Sequence, residues 1–224
     1  MVERALRSGY PLRTVLAEPR WLSTLSDVLP DDAVVFTAEV AVLEAVTGYH
    51  VHRGALASFG RVPVPSIATL ASSASRLVVL EQVNNPTNVG AVFRAAAGLG
   101  MDGVVLDPLS ADPLYRRAVR VSMGAVLQLP YARADAWPGD LGVLRDAGFQ
   151  LLALTPSPDA VDLRSLSFSA SDKVALLLGA EGPGLSTSVL REGDLAVRIP
   201  MHHGVDSLNV AAAAAVACYA LAPR

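Results

Sequence analysis

Near the end of the chain an apolar run gives way to a polar loop that reads Ile199-Pro200-Met201-His202-His203-Gly204-Val205-Asp206-Ser207-Leu208-Asn209-Val210. The apolar residues 195–199 predict a strand that ends at Pro200, and the Ala-rich residues 208–222 predict a helix. Ser207 and Asn209 stand at the entrance to this helix, where serine and asparagine commonly cap the first turn. A strand, a polar loop and a helix in this order indicate one unit of an α/β fold.

The same order recurs upstream from Arg76 onward. Strands are expected at residues 77–80, 104–106, 127–129, 151–154, 174–178 and 195–199, and helices at residues 89–99, 113–120, 141–147, 186–191 and 208–222. This alternation predicts a mainly parallel sheet with helices on both faces. Because ligands of such sheets bind outside the carboxyl ends of the strands, the loops 84–90, 179–184 and 199–210 predict one shared site.

Residues 1–60 predict a separate, small α/β domain. Helices are expected at residues 2–6, 21–28 and 38–45, strands at 12–16 and 33–36, and a polar turn at 48–54. Residues 61–75 contain Pro63, Pro65 and several serines and alanines, a composition typical of a linker. The predicted organisation is therefore a domain over 1–60, a linker over 61–75 and a domain over 76–224.

Composition limits the classes of function. The 224 residues are 52% hydrophobic and 17% charged, with a net charge of −3, which indicates a globular protein without the basic character of a general nucleic-acid binder. Lys173 is the single lysine, so the basic residues are nearly all arginines, which suit bidentate contacts to phosphate. The single cysteine, Cys218, excludes an internal disulfide and is expected to be a buried, small hydrophobe.

The charges spread through residues 1–20 argue against a signal peptide, and residues 210–223 are too few to cross a bilayer, so we expect a cytoplasmic protein.

The loops carry the residues with chemical potential. Asn88 is expected at or near a helix N-cap, and with Arg94 in the following helix it could form an anion site; the alternative is that Asn88 only caps and Arg94 only pairs at the surface. The loop lacks both the dinucleotide glycine fingerprint and the P-loop pattern. In the second loop Glu181 lies between glycines, which could be an exposed residue of a structural turn or an acceptor for a hydroxyl or amine. His202 and His203 have no further ligand at a convincing spacing, so we expect no metal.

Together the three loops resemble the three motifs of the SpoU (TrmH-like) family of RNA ribose 2′-O-methyltransferases, in the SPOUT superfamily. The resemblance covers residues 76–222 in order, through residues 84–94, 177–185 and 199–210. Thr155-Pro156 and residues 121–125 also resemble family positions. More weakly, residues 1–60 resemble the L30e-like RNA-binding domain that often precedes this catalytic domain. The chain begins inside what would be the first helix of that domain, so we expect either a start site assigned too late or an abbreviated domain.

The resemblance implies a trefoil knot, S-adenosylmethionine as the cofactor, and a homodimer whose active site is completed by the partner subunit. It assigns cofactor binding to Thr155, Leu178, Gly179, Ala180, Gly184, Ile199, Met201 and Leu208. It assigns the catalytic positions to Asn88, Arg94, Glu181, Ser207 and Asn209. Arg94 is the family's catalytic arginine, although a guanidinium holds its proton tightly and acts more readily as a phosphate clamp than as a base.

The expected substrate is RNA, with ribosomal RNA favoured by the L30e-like resemblance. Arg53, Arg116, Arg117 and Arg120 are the candidates to bind its phosphates, the alternative being that each is a solvated surface residue. Three other functions remain open: a tRNA 2′-O-methyltransferase, a non-catalytic RNA-binding or assembly factor of the same fold, and a Rossmann-like enzyme that uses another nucleotide. The intact set of polar motif residues disfavours a pure binder, and the missing glycine fingerprint disfavours the Rossmann-like enzyme.

Overall fold

The computed structural model describes residues 1–48 and 54–222, and the chain divides into two compact units, Met1–Pro63 and Val64–Arg224. Arg53, which we predicted to bind RNA, and most of the predicted polar turn 48–54 lie outside the described residues. Among the described residues, no helix has the length and apolar character needed to cross a membrane.

The first unit contains a three-stranded sheet. Its central strand, β1 (Leu12–Ala17), pairs in parallel with β2 (Val35–Thr37) and antiparallel with β3 (Ala55–Phe59). The described helices are α1 (Val2–Arg7), α2 (Leu22–Ser26) and α3 (Val40–Thr47), with a 3₁₀ turn at Pro19–Trp21. Strand β3 was not predicted, because its residues show no clear apolar–polar alternation and its strand conformation depends on pairing with β1.

The second unit is built on a seven-stranded sheet in which every neighbouring pair of strands is parallel. Its strands are β4 (Arg76–Leu80), β5 (Gly103–Leu106), β6 (Tyr131–Arg133), β7 (Gln150–Leu154), β8 (Val161–Asp162), β9 (Val174–Leu178) and β10 (Leu195–Arg198). The order across the sheet is β6-β5-β4-β9-β7-β10-β8. The predicted α/β fold with a mainly parallel sheet is confirmed, whereas the trefoil knot stays a prediction.

Helices cover both faces of this sheet. They are α4 (Ile67–Ser73), α5 (Pro86–Gly98), α6 (Arg116–Val121), α7 (Leu141–Asp146), α8 (Thr187–Glu192) and α9 (Val210–Leu221), with 3₁₀ turns at Ala125–Leu127 and Leu163–Ser165. Helices α5 and α9 pack into the apolar core on one face, and α4, α7 and α8 pack into the core on the other. Because both faces are covered, β4 and β9 are buried along their whole length.

Helix α9 is tied to the sheet at its far end. The guanidinium of Arg76, 2% exposed at the start of β4, donates from Nε to the Leu221 carbonyl (2.9 Å) and from Nη2 to the Ser169 carbonyl (2.7 Å), with a further bond to the Asp172 carbonyl. Cys218 lies on the inner side of α9, and burial raises the pKa of its thiol to about 12. The prediction that Cys218 is buried as a small hydrophobe is confirmed.

Two predictions in this unit are wrong. The predicted linker 61–75 contains α4, which begins after Ser66, whose hydroxyl accepts from the Thr69 N–H at 3.1 Å. Residues 67, 70 and 71 of that helix are buried, so their helical spacing was more informative than the linker-like composition.

The strand predicted at 127–129 is instead the end of a 3₁₀ turn that follows Gly124, whose φ is +85°, and the strand β6 starts only after Pro130. The short edge strand β8 was not predicted.

Candidate functional site

A cavity of about 300 Å³ lies at the carboxyl ends of β9, β7 and β10, which are neighbours in the sheet. Leu178 ends β9, Thr155 follows β7, and Ile199 follows β10, so parallel pairing alone brings these three residues to one edge. The cavity is lined by every residue that we predicted to bind the cofactor: Thr155, Leu178, Gly179, Ala180, Gly184, Ile199, Met201 and Leu208. We refer to it below as the loop cavity.

The second loop folds back tightly on itself to form one wall of the loop cavity. A Cβ atom on Gly179 would lie 2.1 Å from the Gly184 carbonyl carbon and 2.2 Å from the Leu185 nitrogen, so only glycine fits there. The Gly184 N–H donates to the Ala180 carbonyl at 3.0 Å, and Gly184 itself has a φ of +70°, which glycine adopts without strain. The glycines of this loop therefore set its shape.

A buried carboxylate holds the far end of the second loop, and sequence reasoning missed it. Glu81, 2% exposed directly after β4, accepts hydrogen bonds from the Ser186 N–H (2.7 Å), the Ser186 hydroxyl (2.7 Å) and the Trp137 indole N–H (3.0 Å). Its own N–H donates to the Leu178 carbonyl at 2.8 Å. The sequence did carry a signal, because Glu81 directly follows a fully apolar strand. A carboxylate in such a position is buried and needs hydrogen-bond donors around it, which marks it as a structural support.

Three of the five predicted catalytic side chains meet beside the loop cavity. Asn209 Nδ2 donates to Asn88 Oδ1 at 3.3 Å and to Glu181 Oε1, while Asn209 Oδ1 accepts from the Ala211 N–H at 2.9 Å. One asparagine therefore caps α9 and joins the first and second loops to the tail of the chain. Glu181 also lines the loop cavity, so this polar cluster of Asn88, Glu181 and Asn209 borders it directly.

Asn88 lies near the N-cap of α5, as predicted, but it is not itself the cap. Asn85 caps α5, with its Oδ1 accepting from the Thr87 N–H at 2.9 Å, and the helix begins at Pro86. Proline favours the first helical position because its fixed φ suits the helix and its missing N–H is not needed there. The earlier start places Asn88 inside the first turn, 7% exposed, where its side chain is available to Asn209.

The other polar residues of the third loop differ in whether they line the loop cavity, and His202 and His203 do not. Ser207 and Asp206 are both exposed and both contribute to the lining. His202 and His203 are exposed, with ring centroids 6.5 Å apart. Within residues 1–48 and 54–222, no group of three or more histidine, cysteine, aspartate or glutamate side chains is placed to hold a metal ion.

Arg94 stands apart from the polar cluster. It is exposed on α5, about two helical turns beyond Pro86, and it makes no hydrogen bond or ion pair to the described residues. It does not line the loop cavity. The anion site predicted from Arg94 and the start of its own helix stays a prediction.

A second cavity, of about 580 Å³, lies beside the start of α5, and we call it the arginine cleft. Its lining is Thr87, Tyr115, Arg116, Arg117, Arg120 and Val121, which includes the three described arginines that we predicted to bind RNA. Helix α6 reaches this position because it crosses α5 at Gly90, where a Cβ atom would lie 2.6 Å from the Ala118 carbonyl oxygen. Gly90 of the first loop therefore permits the close helix crossing that forms the cleft.

The two cavities have opposite electrostatic character. The loop cavity is lined by two carboxylates, Glu181 and Asp206, and by apolar side chains, and no lysine or arginine of the described residues lines it. It suits a ligand that carries positive charge and has apolar parts, and it offers no cation to the phosphates of a dinucleotide. The arginine cleft has three guanidinium groups and no carboxylate, so it suits an anion.

The residues 75–219 match a family model described as the SpoU rRNA Methylase family. A protein of Mycobacterium tuberculosis (strain H37Rv), named an uncharacterized tRNA/rRNA methyltransferase, is 48% identical over 221 residues, which cover 98% of this chain and 77% of the relative. The crystal structure of an AdoMet-bound rRNA methyltransferase from Sinorhizobium meliloti matches with a TM-score of 0.85 and 26% identity, over 98% of this chain and 82% of that one.

A crystal structure of an RNA 2′-O ribose methyltransferase matches with a TM-score of 0.76 and 25% identity, over 98% of this chain and 83% of that one. The family model covers well over half of the chain, and the mycobacterial relative extends the similarity to nearly all of it. On these grounds the chain belongs to the SpoU rRNA methylase family.

Proposed function

We propose that this protein transfers a methyl group from S-adenosylmethionine to a ribose 2′-hydroxyl in RNA, and that the RNA is ribosomal. The observation that carries the proposal is the polar cluster of Asn88, Glu181 and Asn209 at the border of a cavity suited to a cation. The AdoMet-bound rRNA methyltransferase and the 2′-O ribose methyltransferase among the matching structures support the cofactor and the position of methylation.

The residues of the loop cavity fit S-adenosylmethionine. The close approach of Gly179 to Gly184 fixes a wall of backbone, and Leu178, Ile199 and Leu208 supply apolar surface. Glu181 and Asp206 add the negative charge that a sulfonium and an ammonium require. When bound, the cofactor supplies an electrophilic methyl group on a positively charged sulfur.

The polar cluster and Ser207 then have the task of alignment. Methyl transfer needs the attacking oxygen to be held in line with the methyl group and relieved of its proton. Asn88 and Asn209 fix each other and the Glu181 carboxylate, so that their remaining hydrogen-bonding groups can orient the ribose. We assign Arg94 the role of a phosphate clamp and electrostatic stabiliser, because a guanidinium keeps its charge at neutral pH.

We propose that Arg94 serves the site of the partner subunit in a homodimer. Its exposed position outside the loop cavity of its own subunit supports this arrangement, as does the exposed apolar stripe of Val216 and Tyr219 on α9, which are 46% and 76% exposed. Such surface commonly marks a protein interface. The test is to mix two inactive variants, Arg94→Ala and Gly179→Ala, after dissociating and reassembling the subunits.

Each mixed dimer then has one site with neither defect, if Arg94 acts across the interface. About half of randomly reassembled dimers are mixed, so activity should return to about a quarter of the wild-type value. Activity that stays at the level of the separate variants would place Arg94 in its own subunit's site. Near-normal methyl transfer by Arg94→Ala alone would remove both the clamp and the base role from this residue.

We further propose that the first unit is an L30e-like RNA-binding domain. Its small mixed sheet with flanking helices supports this assignment. The RNA is identified by mapping 2′-O-methyl marks in total RNA from a strain without the gene. Loss of one ribosomal mark is the expected result; loss of a tRNA mark would change the substrate, and an unchanged RNA would favour a non-catalytic role.

The cofactor is tested separately by calorimetry. We expect the protein to bind S-adenosylmethionine and to show no measurable binding of NAD, because carboxylates line the loop cavity and no lysine or arginine within residues 1–48 and 54–222 does. Binding of NAD without binding of S-adenosylmethionine would contradict the proposal and favour a nucleotide-dependent enzyme of another kind.

A further inference from the structure

The arginine cleft concentrates positive charge in a chain with an excess of acidic residues. The sequence has 21 aspartates and glutamates against 18 lysines and arginines, yet three arginines and no carboxylate line this cleft. Arg117 and Arg120 make no hydrogen bond or ion pair to any described residue. These two side chains therefore have their donors available for a bound anion.

Two of the arginines carry like charges at close spacing. Arg117 and Arg120 are three residues apart on α6, so their side chains lie on neighbouring positions of the helix surface. Like charges on neighbouring helix positions repel each other. A phosphate between them would remove the repulsion and accept charge-assisted hydrogen bonds from both guanidinium groups.

An aromatic ring lines the same cleft. Tyr115 immediately precedes α6 and is 58% exposed. Exposed aromatic side chains stack on the bases of single-stranded RNA, whereas the bases of a duplex are already stacked on each other. The ring and the neighbouring arginines can therefore hold an unpaired nucleotide together, the ring by stacking on its base and the arginines by binding its phosphate.

The cleft lies next to the polar cluster. Thr87 lines the cleft and Asn88 belongs to the cluster, and consecutive Cα atoms are about 3.8 Å apart. The two residues point in different directions from the first turn of α5, so the cleft and the cluster lie on adjoining sides of one helix end. The crossing of α5 and α6 at Gly90 and Ala118 fixes α6 against that helix.

We propose that the arginine cleft binds one unpaired nucleotide close to the methylated one, with its phosphate on Arg117 and Arg120 and its base stacked on Tyr115. This inference rests on the proposed function for the identity of the ligand as RNA. It adds that the substrate is presented as a single-stranded segment, such as a loop, at the place where the cleft holds it.

The test measures binding of two fluorescein-labelled probes by anisotropy: a short oligouridylate and a short RNA duplex. The wild-type chain should bind the oligouridylate more tightly than the duplex. Tyr115→Ala should weaken oligouridylate binding by about tenfold and leave duplex binding unchanged, because one stacked base is lost. Tyr115→Phe keeps the ring and should bind like the wild type.

Tyr115 is exposed, so both variants should fold, and their melting temperatures check this. Equal affinity of wild type and Tyr115→Ala for the oligouridylate would overturn the proposal, as would a wild-type preference for the duplex. These outcomes are independent of catalysis: a protein that methylates RNA normally but shows no Tyr115 effect keeps its proposed function and loses this site. A Tyr115-dependent preference for single strands in a protein that methylates no RNA would support the site and contradict the function.

Discussion

The loop cavity and the arginine cleft lie near the same helix end but have opposite chemistry. The loop cavity is shaped by backbone turns and carries carboxylates, whereas the cleft is formed by long cationic side chains on a short helix. Asn88 belongs to the polar cluster that borders the loop cavity, and its neighbour on α5, Thr87, lines the arginine cleft. The difference indicates a division of labour, in which a positively charged methyl donor and a negatively charged polymer approach one reaction centre from two sides.

The largest effect is expected from Gly179→Ala, which should act on the loop cavity alone. The added Cβ would lie 2.1 to 2.2 Å from backbone atoms of Gly184 and Leu185, so the second loop must move. We expect affinity for S-adenosylmethionine, measured by calorimetry, to fall by about a hundredfold, while oligouridylate binding stays unchanged. Gly142→Ala is the matched control, because a Cβ there meets no atom within 4 Å.

The converse effect is expected from the double variant Arg117→Ala/Arg120→Ala. Loss of both guanidinium contacts to the one bound phosphate should weaken oligouridylate binding by about thirtyfold at low salt and reduce the slope of log K against log salt by about 0.7. Affinity for S-adenosylmethionine should not change. Arg191→Ala removes an exposed arginine that lines neither cavity and serves as the control. A loss of cofactor affinity in the double variant would break the division between the two regions.

A smaller effect is expected from Glu81→Gln, which tests whether the loop cavity depends on its buried support. The amide replaces one acceptor by a donor, so one N–H or O–H of Ser186 or Trp137 loses its partner. We expect cofactor affinity to fall by about tenfold. Tryptophan emission should also shift, measured in a Trp21→Phe background.

The control for Glu81→Gln is a change at Asp102, which contacts the opposite end of β4. Asp102 Oδ2 accepts from the Ser75 and Arg76 N–H groups at 2.7 and 2.8 Å, so Asp102→Ala also removes hydrogen bonds from the edge of β4. Its effect should be confined to the melting temperature. Equal losses of cofactor affinity in both variants would mean that Glu81 acts only through general stability.

The sequence predicts the position of the loop cavity better than it predicts the contacts that support it. The loop cavity is formed by loops that follow neighbouring parallel strands. The apolar runs and their order along the chain are enough to locate these loops. The predicted parallel sheet and the predicted SpoU family are both confirmed. The contacts that support the loop cavity were not predictable, because Glu81 and Ser186 are 105 residues apart and no local pattern pairs them.

The helix in the predicted linker was missed because Pro63, Pro65 and the serines favoured a linker, whereas buried residues at helical spacing lie within it. The helix start at Pro86 was missed because Asn85 caps the helix, three residues before Asn88.

The smallest effect is expected from Asp206→Asn, which tests the charge of the loop cavity. Asp206 is exposed, so removal of its charge should weaken binding of S-adenosylmethionine by about two- to fivefold. S-adenosylhomocysteine lacks the sulfonium and should be affected less. Equal losses for the two ligands would show that this carboxylate does not sense the sulfonium charge.

The measurement that addresses the function most directly is the identity of the product. RNA from a strain without the gene is incubated with the protein and S-adenosylmethionine carrying an isotopically labelled methyl group, digested to nucleosides and separated with mass detection. We expect the label in a 2′-O-methylnucleoside, and its loss with Gly179→Ala. Label on a base, or no transfer to any RNA, would contradict the proposed function.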